Sequence, residues 1–301
     1  MLIHFIRNSP SYLPEIDAYC AYIQTRGHQT MVHDSSHAVP TSASVVWWFC
    51  GRVPLREAHR LRGAFQIHEY ASASIPPYAW VKDQVKHWTQ PRPDYRVYQN
   101  GWVRERMGFA DGVPHALRDM GLSEHFFDAP SHTIPTLEFD LVYLGETSRL
   151  LVFIPVLQAI DAAGRSLLLV GDVPEALRTL LPPNVTCTGR VAQTQVPQHL
   201  RRAHFGLNLV PNTAPFQQQT STKVLEYCAV GLRVVSNAYP WVRYFMAQHK
   251  ANFYLLRDDP SSLATSFGEA LDAYPYEVPD IRALAWPQVL DGLPLWCTIL
   301  R

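Results

Sequence analysis

No stretch of this chain stays apolar for the length a bilayer crossing needs, and its opening, MLIHFIRNSPSYLPE, has no basic segment followed by a long apolar one. Neither a membrane span nor export is expected. Excess charge of either sign is also missing, since 26 Lys and Arg balance 26 Asp and Glu without blocks, so no global field favours nucleic acid. The five cysteines (Cys20, Cys50, Cys187, Cys228, Cys297) are odd in number and far apart, and four lie in apolar runs. They read as small hydrophobes in a reducing, cytoplasmic protein. The sequon at Asn184 would matter only in a secretory compartment. There is no Cys pair, P-loop lysine motif or Gly-x-Ser-x-Gly elbow, and HEYAS places Ser72 where a zincin needs its second His. Glycine is scarce beside proline, 15 against 24, which implies many stiff loops, with no repeat and no low-complexity segment.

What is present is an alternation. LIHFIR is a strand, YLPEIDAYCAYIQTRGH carries helical spacing at Ile16, Tyr19, Cys20, Tyr22 and Ile23, and TMVHD, ASVVWWFCG, AFQIHEY and YRVYQN read as further strands around the helix PLREAHRLRG. APSHTIPT, between Asp128 and Leu137, breaks the pattern and places a boundary there, giving domains 1–130 and 131–301. The alternation then restarts through FDLVYLG, LVFIPVLQAIDAAG, SLLLVGD, PEALRTLL, NVTCTG, QTQVPQHLRRA, FGLNLVP, LRVVSN and NFYLLRD. The fold class is α/β, two Rossmann-like domains with parallel sheets, the last helical segment around Trp286 being free to pack back on the first domain.

One segment, TSTKVLEYCAVGLRVVSN, is a helix running into a buried strand. Thr220, Ser221 and Thr222 can cap the helix, whose free N–H groups and dipole then suit an anion. Lys223 is unfavourable for the dipole alone but sensible if a diphosphate lies between them, and Glu226, one turn in, can accept both hydroxyls of a ribose. Gly231 sits where a left-handed residue ends the helix. A solvated Glu on an ordinary capped helix meets the same spacing.

These residues resemble the nucleotide-sugar signature of GT-B glycosyltransferases of family 4, whose donor helix has the form (S/P)xKxxEyxAxGxPVV. By that resemblance Glu226 is the second acid of the family's E-x7-E motif and contacts the ribose. Position 218, where the first acid belongs, is Gln218, which can hydrogen-bond sugar hydroxyls but cannot be a base or a stabilising anion. Phe216 to Gln219 would surround the hexose. FDLVYLGETSRL resembles the first strand and turn of the family's second domain; Gly145 matches, Glu146 stands where an Arg is usual, and Arg149 becomes the phosphate ligand. NVTCTGRV places Gly189 and Arg190 on the nucleobase side, and RRAHFGLNLVP resembles the segment before the donor loop. The likeness runs over about residues 139 to 245.

In the first half, IQTRGHQTMV matches a family segment with Gly27 and His28 in register, and RDMGLSEHFF resembles the last turn before the linker, whereas NSPSYLPE replaces the usual glycine-rich turn. The resemblance implies a His facing the donor sugar, for which His68 is the candidate, with Glu69 or Asp83 as an acceptor-side base. A core histidine is the competing reading. RVPLREAHRLRG puts Arg52, Arg56, Arg60 and Arg62 on a basic amphipathic segment that suits a peripheral contact with the inner membrane face or a solvated surface. The implied activity is hexose transfer from a nucleotide sugar, UDP-sugar first, to a glycan or lipid-linked hydroxyl, with retention and no metal. A non-catalytic nucleotide-sugar-binding subunit and a same-fold epimerase or hydrolase are the alternatives.

Overall fold

The computed structural model describes residues 1–7, 13–49, 51–128, 137–257 and 260–300. Cys50, most of NSPSYLPE and the whole of APSHTIPT, the expected boundary, lie outside them. In chain order the elements are β1 (Leu2–Arg7), α1 (Pro14–Thr25), β2 (Gln29–His33), β3 (Val45–Phe49), α2 (Leu55–Arg60), β4 (Phe65–Tyr70), α3 (Ala79–Thr89), β5 (Tyr95–Tyr98), α4 (Gly101–Met107) and β6 (His115–Leu117). There follow β7 (Phe139–Leu144), α5 (Ile154–Ala162), β8 (Leu167–Val170), α6 (Glu175–Arg178), β9 (Val185–Gly189), α7 (Val196–Leu200), β10 (Ala203–Asn208), α8 (Thr222–Ala229) and β11 (Arg233–Asn237). The chain continues through α9 (Pro240–His249), β12 (Tyr254–Leu256), α10 (Pro260–Thr265), α11 (Glu269–Asp272), α12 (Trp286–Asp291) and α13 (Trp296–Ile299).

Two compact units result, one made of Met1–Gly121 with Leu284–Arg301, the other of Leu122–Ala283. Each holds one parallel sheet, in the orders β2-β1-β3-β4-β5-β6 and β12-β11-β10-β7-β8-β9. Strands such as VVWWF and LLLV are buried along their whole length because both faces of each sheet are covered. The trailing segment belongs to the first unit for a physical reason. Trp286, Leu290, Leu293, Leu295, Trp296 and Ile299 join Ile16, Tyr19, Tyr22 and Ile23 of α1 in one apolar cluster over Phe5 and Trp47. Polar ties close it: Tyr22 donates to Asp291 at 2.8 Å, Arg26 pairs with Asp291 at 2.6 Å, and Trp296 Nε1 donates to Leu290 O at 2.6 Å.

The order of the second sheet reverses between β7 and β10, whose strands pair in register Phe205↔Leu141 and Gly206↔Val142. Ligands of open α/β sheets bind beyond the carboxyl ends of the strands at such a point. The loop after β7, the loop after β10 and the start of α8 all emerge there.

Candidate functional site

α8 is fixed across the switch point by one tyrosine. The Tyr227 hydroxyl accepts from Leu144 N–H of the β7 end at 3.2 Å and reaches the carbonyls of Leu207 at 3.1 Å and Val142 at 3.3 Å. Its ring lies flat on β10 only because residue 206 is glycine, since a Cβ there would sit 2.4 Å from Tyr227 Cγ. Gly231, at φ +77°, ends the helix as its sequence position implies, with its N–H on Cys228 O at 3.0 Å.

At the other end Ser221 occupies the N-cap, yet its hydroxyl donates to Asn208 Oδ1 at 2.8 Å and caps nothing. Asn208, fully buried, passes its amide on to Ser236 Oγ at 2.8 Å and Tyr239 Oη at 3.0 Å. The expectation of a side-chain cap is thereby corrected: the hydroxyl is spent on the sheet. The backbone N–H groups of Thr222 and Lys223 carry no backbone or side-chain bond among the described residues, so the positive end of the helix is left open.

Lys223 and Glu226 follow, both buried, and neither forms a hydrogen bond or an ion pair within 4.0 Å among the described residues. Lys223 Nζ stands 5.3 Å from the centre of the Tyr143 ring. Burial, helped by the Arg149 charge, lowers its ammonium to about 8, and burial raises the Glu226 carboxyl to about 8 against the opposing pull of Lys223. Two oppositely chargeable groups, one turn apart, are thus largely withdrawn from water without pairing with each other. Such an arrangement is costly unless something else binds there.

The loops after β7, β8 and β9 are packed on one another. Gly145 (φ +102°) donates to Val170 O at 2.9 Å, Gly171 (φ +147°) donates to Gly189 O at 3.1 Å, and a Cβ on Gly171 would fall 2.3 Å from Gly145 O. Gly189 and the exposed Arg190 therefore close the edge of a continuous rim that begins at Gly145. Glu146 turns its carboxylate back, accepting from Ser148 N–H at 3.2 Å and Ser148 Oγ at 2.6 Å, which holds it below the usual carboxylate range. Arg149 is half-buried with its guanidinium 5.0 Å from the Phe216 ring centre, which joins the two loops. Gln218 ends the short 3-10 turn Phe216–Gln218, and extended Gln219 followed by Thr220 leads to the helix. The second unit thus brings together Gly145, Arg149, Phe216, Lys223 and Glu226. Tyr143, Gly206, Asn208 and Tyr227 belong to the same construction and were not singled out from sequence; a glycine inside a strand, a mark of close approach, is the one signal that could have flagged Gly206.

The first unit places its candidates differently. His68 is fully buried in β4, edge-on to Trp48 at 6.5 Å, with no hydrogen bond to either ring nitrogen among the described residues; burial lowers it to about 3. It lies in the core as the competing reading has it, but without the satisfied ring N–H that such a histidine ordinarily has. Glu69 accepts from Trp47 Nε1 at 2.8 Å and from the Arg118 guanidinium, which also donates to Tyr19 Oη at 3.2 Å and lies 3.8 Å from Glu15. Asp83 accepts from Ser74 N–H at 3.0 Å and pairs with Arg106 at 3.0 Å. Both carboxylates are buried and spent on their own unit, so neither is free for a base.

Residues 138–273 match the family described as glycosyl transferases group 1. No curated protein matches the chain. Among solved structures the chain is similar to AviGT4, a glycosyltransferase involved in avilamycin A biosynthesis, at 15% identity and TM-score 0.65, covering 97% of this chain and 95% of that one. Sucrose-phosphate synthase of Thermosynechococcus elongatus is similar at 13% identity and TM-score 0.65, over 97% and 92% of the two chains. Anabaena HepE, solved in complex with UDP and glucose, is similar at 11% identity and TM-score 0.64, over 91% and 90%. No helix among the described residues is long and apolar enough to cross a membrane. The chain accordingly has the GT-B fold of these structures, and residues 138–273 of its second unit match the model of the glycosyl transferases group 1 family.

Proposed function

We propose that the protein transfers a hexose-type sugar from a nucleoside diphosphate sugar, a UDP-sugar first among them, to a hydroxyl of a glycan or lipid-linked acceptor, with retention. The observation that carries this reading is the buried, mutually unpaired Lys223 and Glu226 behind the open N-terminus of α8. A diphosphate at that terminus would take the Thr222 and Lys223 N–H groups, the Lys223 ammonium and Arg149, restoring the charge that burial removes from the lysine. The ribose would then lie against Glu226 and the base against the Gly189–Arg190 rim. Phe216, Gln218 and Gln219 would contact the hexose.

In the transfer, the bond from the anomeric carbon to the diphosphate oxygen breaks as the acceptor oxygen bonds to the same face of that carbon. Gln218 has no acid–base capacity, so the acceptor proton passes to the departing diphosphate oxygen, whose negative charge Lys223, Arg149 and the helix end stabilise. These groups supply the cationic environment without calling on a metal.

A second reading, a nucleotide-sugar-binding partner subunit without turnover, is favoured by Gln218 and by Glu146 standing where charged family residues of other kinds are usual. Release of UDP from UDP-sugars, measured with and without glycan and lipid-linked acceptors, separates the readings. Release that requires an acceptor and is lost in Glu226→Ala supports transfer. Release without acceptor points to hydrolysis or epimerisation, and tight binding without release to the partner subunit.

A further inference from the structure

α3 is turned inside out. Its inward side carries Asp83, paired with Arg106 at 3.0 Å and Lys86 at 3.9 Å, and His87, stacked on Phe109 at 5.7 Å. Its outward side carries Val81, Val85 and Trp88 at i, i+4 and i+7, exposed by 48%, 45% and 79%. Ile75, Tyr78 and Trp80, each more than half exposed, extend this apolar surface past the start of the helix. Two tryptophans protruding from α3 and a tyrosine just before it form an apolar patch beyond what a water-facing surface needs, whereas an interface between water and hydrocarbon suits such rings.

The end of α3 runs into a basic groove. Gln90 Oε1 accepts from Val53 N–H at 2.8 Å, which ties the end of the helix to the segment before α2. Pro91 and Arg92 then line, with Leu55, Arg56, His59 and Arg62, a groove of about 690 Å³. Asp94 is the one carboxylate among its lining residues, and its Oδ2 is occupied by Gln66 N–H at 2.7 Å. Lys82, exposed beside Val81 with its ammonium donating to Ile75 O at 3.2 Å, adds a cation at the helix itself. Arg60, which the sequence grouped with these arginines, is spent on Glu57 at 2.9 Å and on the carbonyls of Val39 and Ser36 at 2.8 and 2.6 Å.

We propose that this face of the first unit seats on an anionic membrane surface, with the rings of Tyr78, Trp80 and Trp88 at the headgroup–acyl boundary and Lys82, Arg56, Arg62 and Arg92 against lipid phosphates. The adjacency of an apolar aromatic helix face and a groove of cations is what selects a lipid surface, since both components of its chemistry are matched side by side. The inference does not depend on the donor site.

The test is co-sedimentation of the full chain with vesicles of phosphatidylcholine alone and of phosphatidylcholine mixed with phosphatidylglycerol. The expected result is binding to the mixed vesicles only, weakening as salt rises, and falling about tenfold or more in Trp80→Ser/Trp88→Ser. Arg56→Gln/Arg92→Gln should lower the binding and flatten its salt dependence while leaving the apolar face intact. Circular dichroism and thermal unfolding equal to wild type confirm that the variants are folded. The proposal is overturned if the wild type ignores anionic vesicles, or if the tryptophan variants bind as well as it does. It is equally overturned if those substitutions instead dissociate a concentration-dependent dimer seen by sedimentation velocity, which would make a second copy the occupant.

Discussion

Glu226 carries a pH signature. Burial raises its carboxyl from 4.5 to about 8, so between those values the folded protein holds a proton that the unfolded chain has released. Stability of the ligand-free protein must therefore fall as pH rises through that window. Glu226→Gln is expected to raise Tm at about pH 8 by removing this term and to converge on the wild type at about pH 4, where both states are protonated. A gap that widened toward acid would contradict the assignment. Lys223→Met should weaken UDP binding about 10- to 100-fold, the worth of a charge-assisted hydrogen bond, measured by calorimetry. That Lys223 and Glu226 share one turn of a helix was legible because their spacing is local, although the spacing alone suits a solvated Glu equally well and the family resemblance singled them out. The fate of His68 was not legible, since a strand's sequence shows where it ends but not which neighbours cover each face, and only the fold sets His68 against Trp48 in the interior.

At the scale of elements, α8 is held to its sheet by a glycine and a ring. Gly206→Ala places a methyl inside the Tyr227 ring, and a cost of about 1–3 kcal/mol is expected together with weaker UDP binding as α8 is pushed outward. In a double-mutant cycle Tyr227→Ala should relieve this cost whereas Tyr227→Phe should not, because only the first removes the ring; additive losses in both would refute the contact. The Glu69–Arg118 pair is a similar case in the first unit. Removing Glu69 leaves the buried Arg118 guanidinium with Glu15 alone, at 3.8 Å, so Glu69→Gln should destabilise by about 1–4 kcal/mol, and Tm should move far more than kcat measured well below it. Most strands and α8 were readable from apolar runs. α3 was not: its apolar residues face outward and its Asp83 inward, so the pattern that marks a helix packed on a core is inverted. α4, β6 and α9 were also unread, being short or opened by a proline at Pro240.

For the whole molecule, the chain leaves the first unit at Gly121 and returns at Leu284, completing that unit's core with α12 and α13. Ending the chain after Ala283 would expose Tyr19, Tyr22 and Trp47, and calorimetry should then lose one transition while the other still shifts with UDP. A single unchanged transition would contradict the division. That two doubly wound units follow one another was legible from the restarting alternation. The return of the last segment rests on side-chain packing between residues far apart in sequence, and only its apolar, Trp-bearing composition hinted at it. The claim on which the rest depends is that α8 is a nucleoside diphosphate site. The most direct measurement is titration calorimetry of UDP into the wild type, Lys223→Met and Glu226→Ala at neutral pH. Saturable binding by the wild type, weakened in both variants while their folding is intact, is the predicted result; no binding, or equal binding by all three proteins, would contradict it.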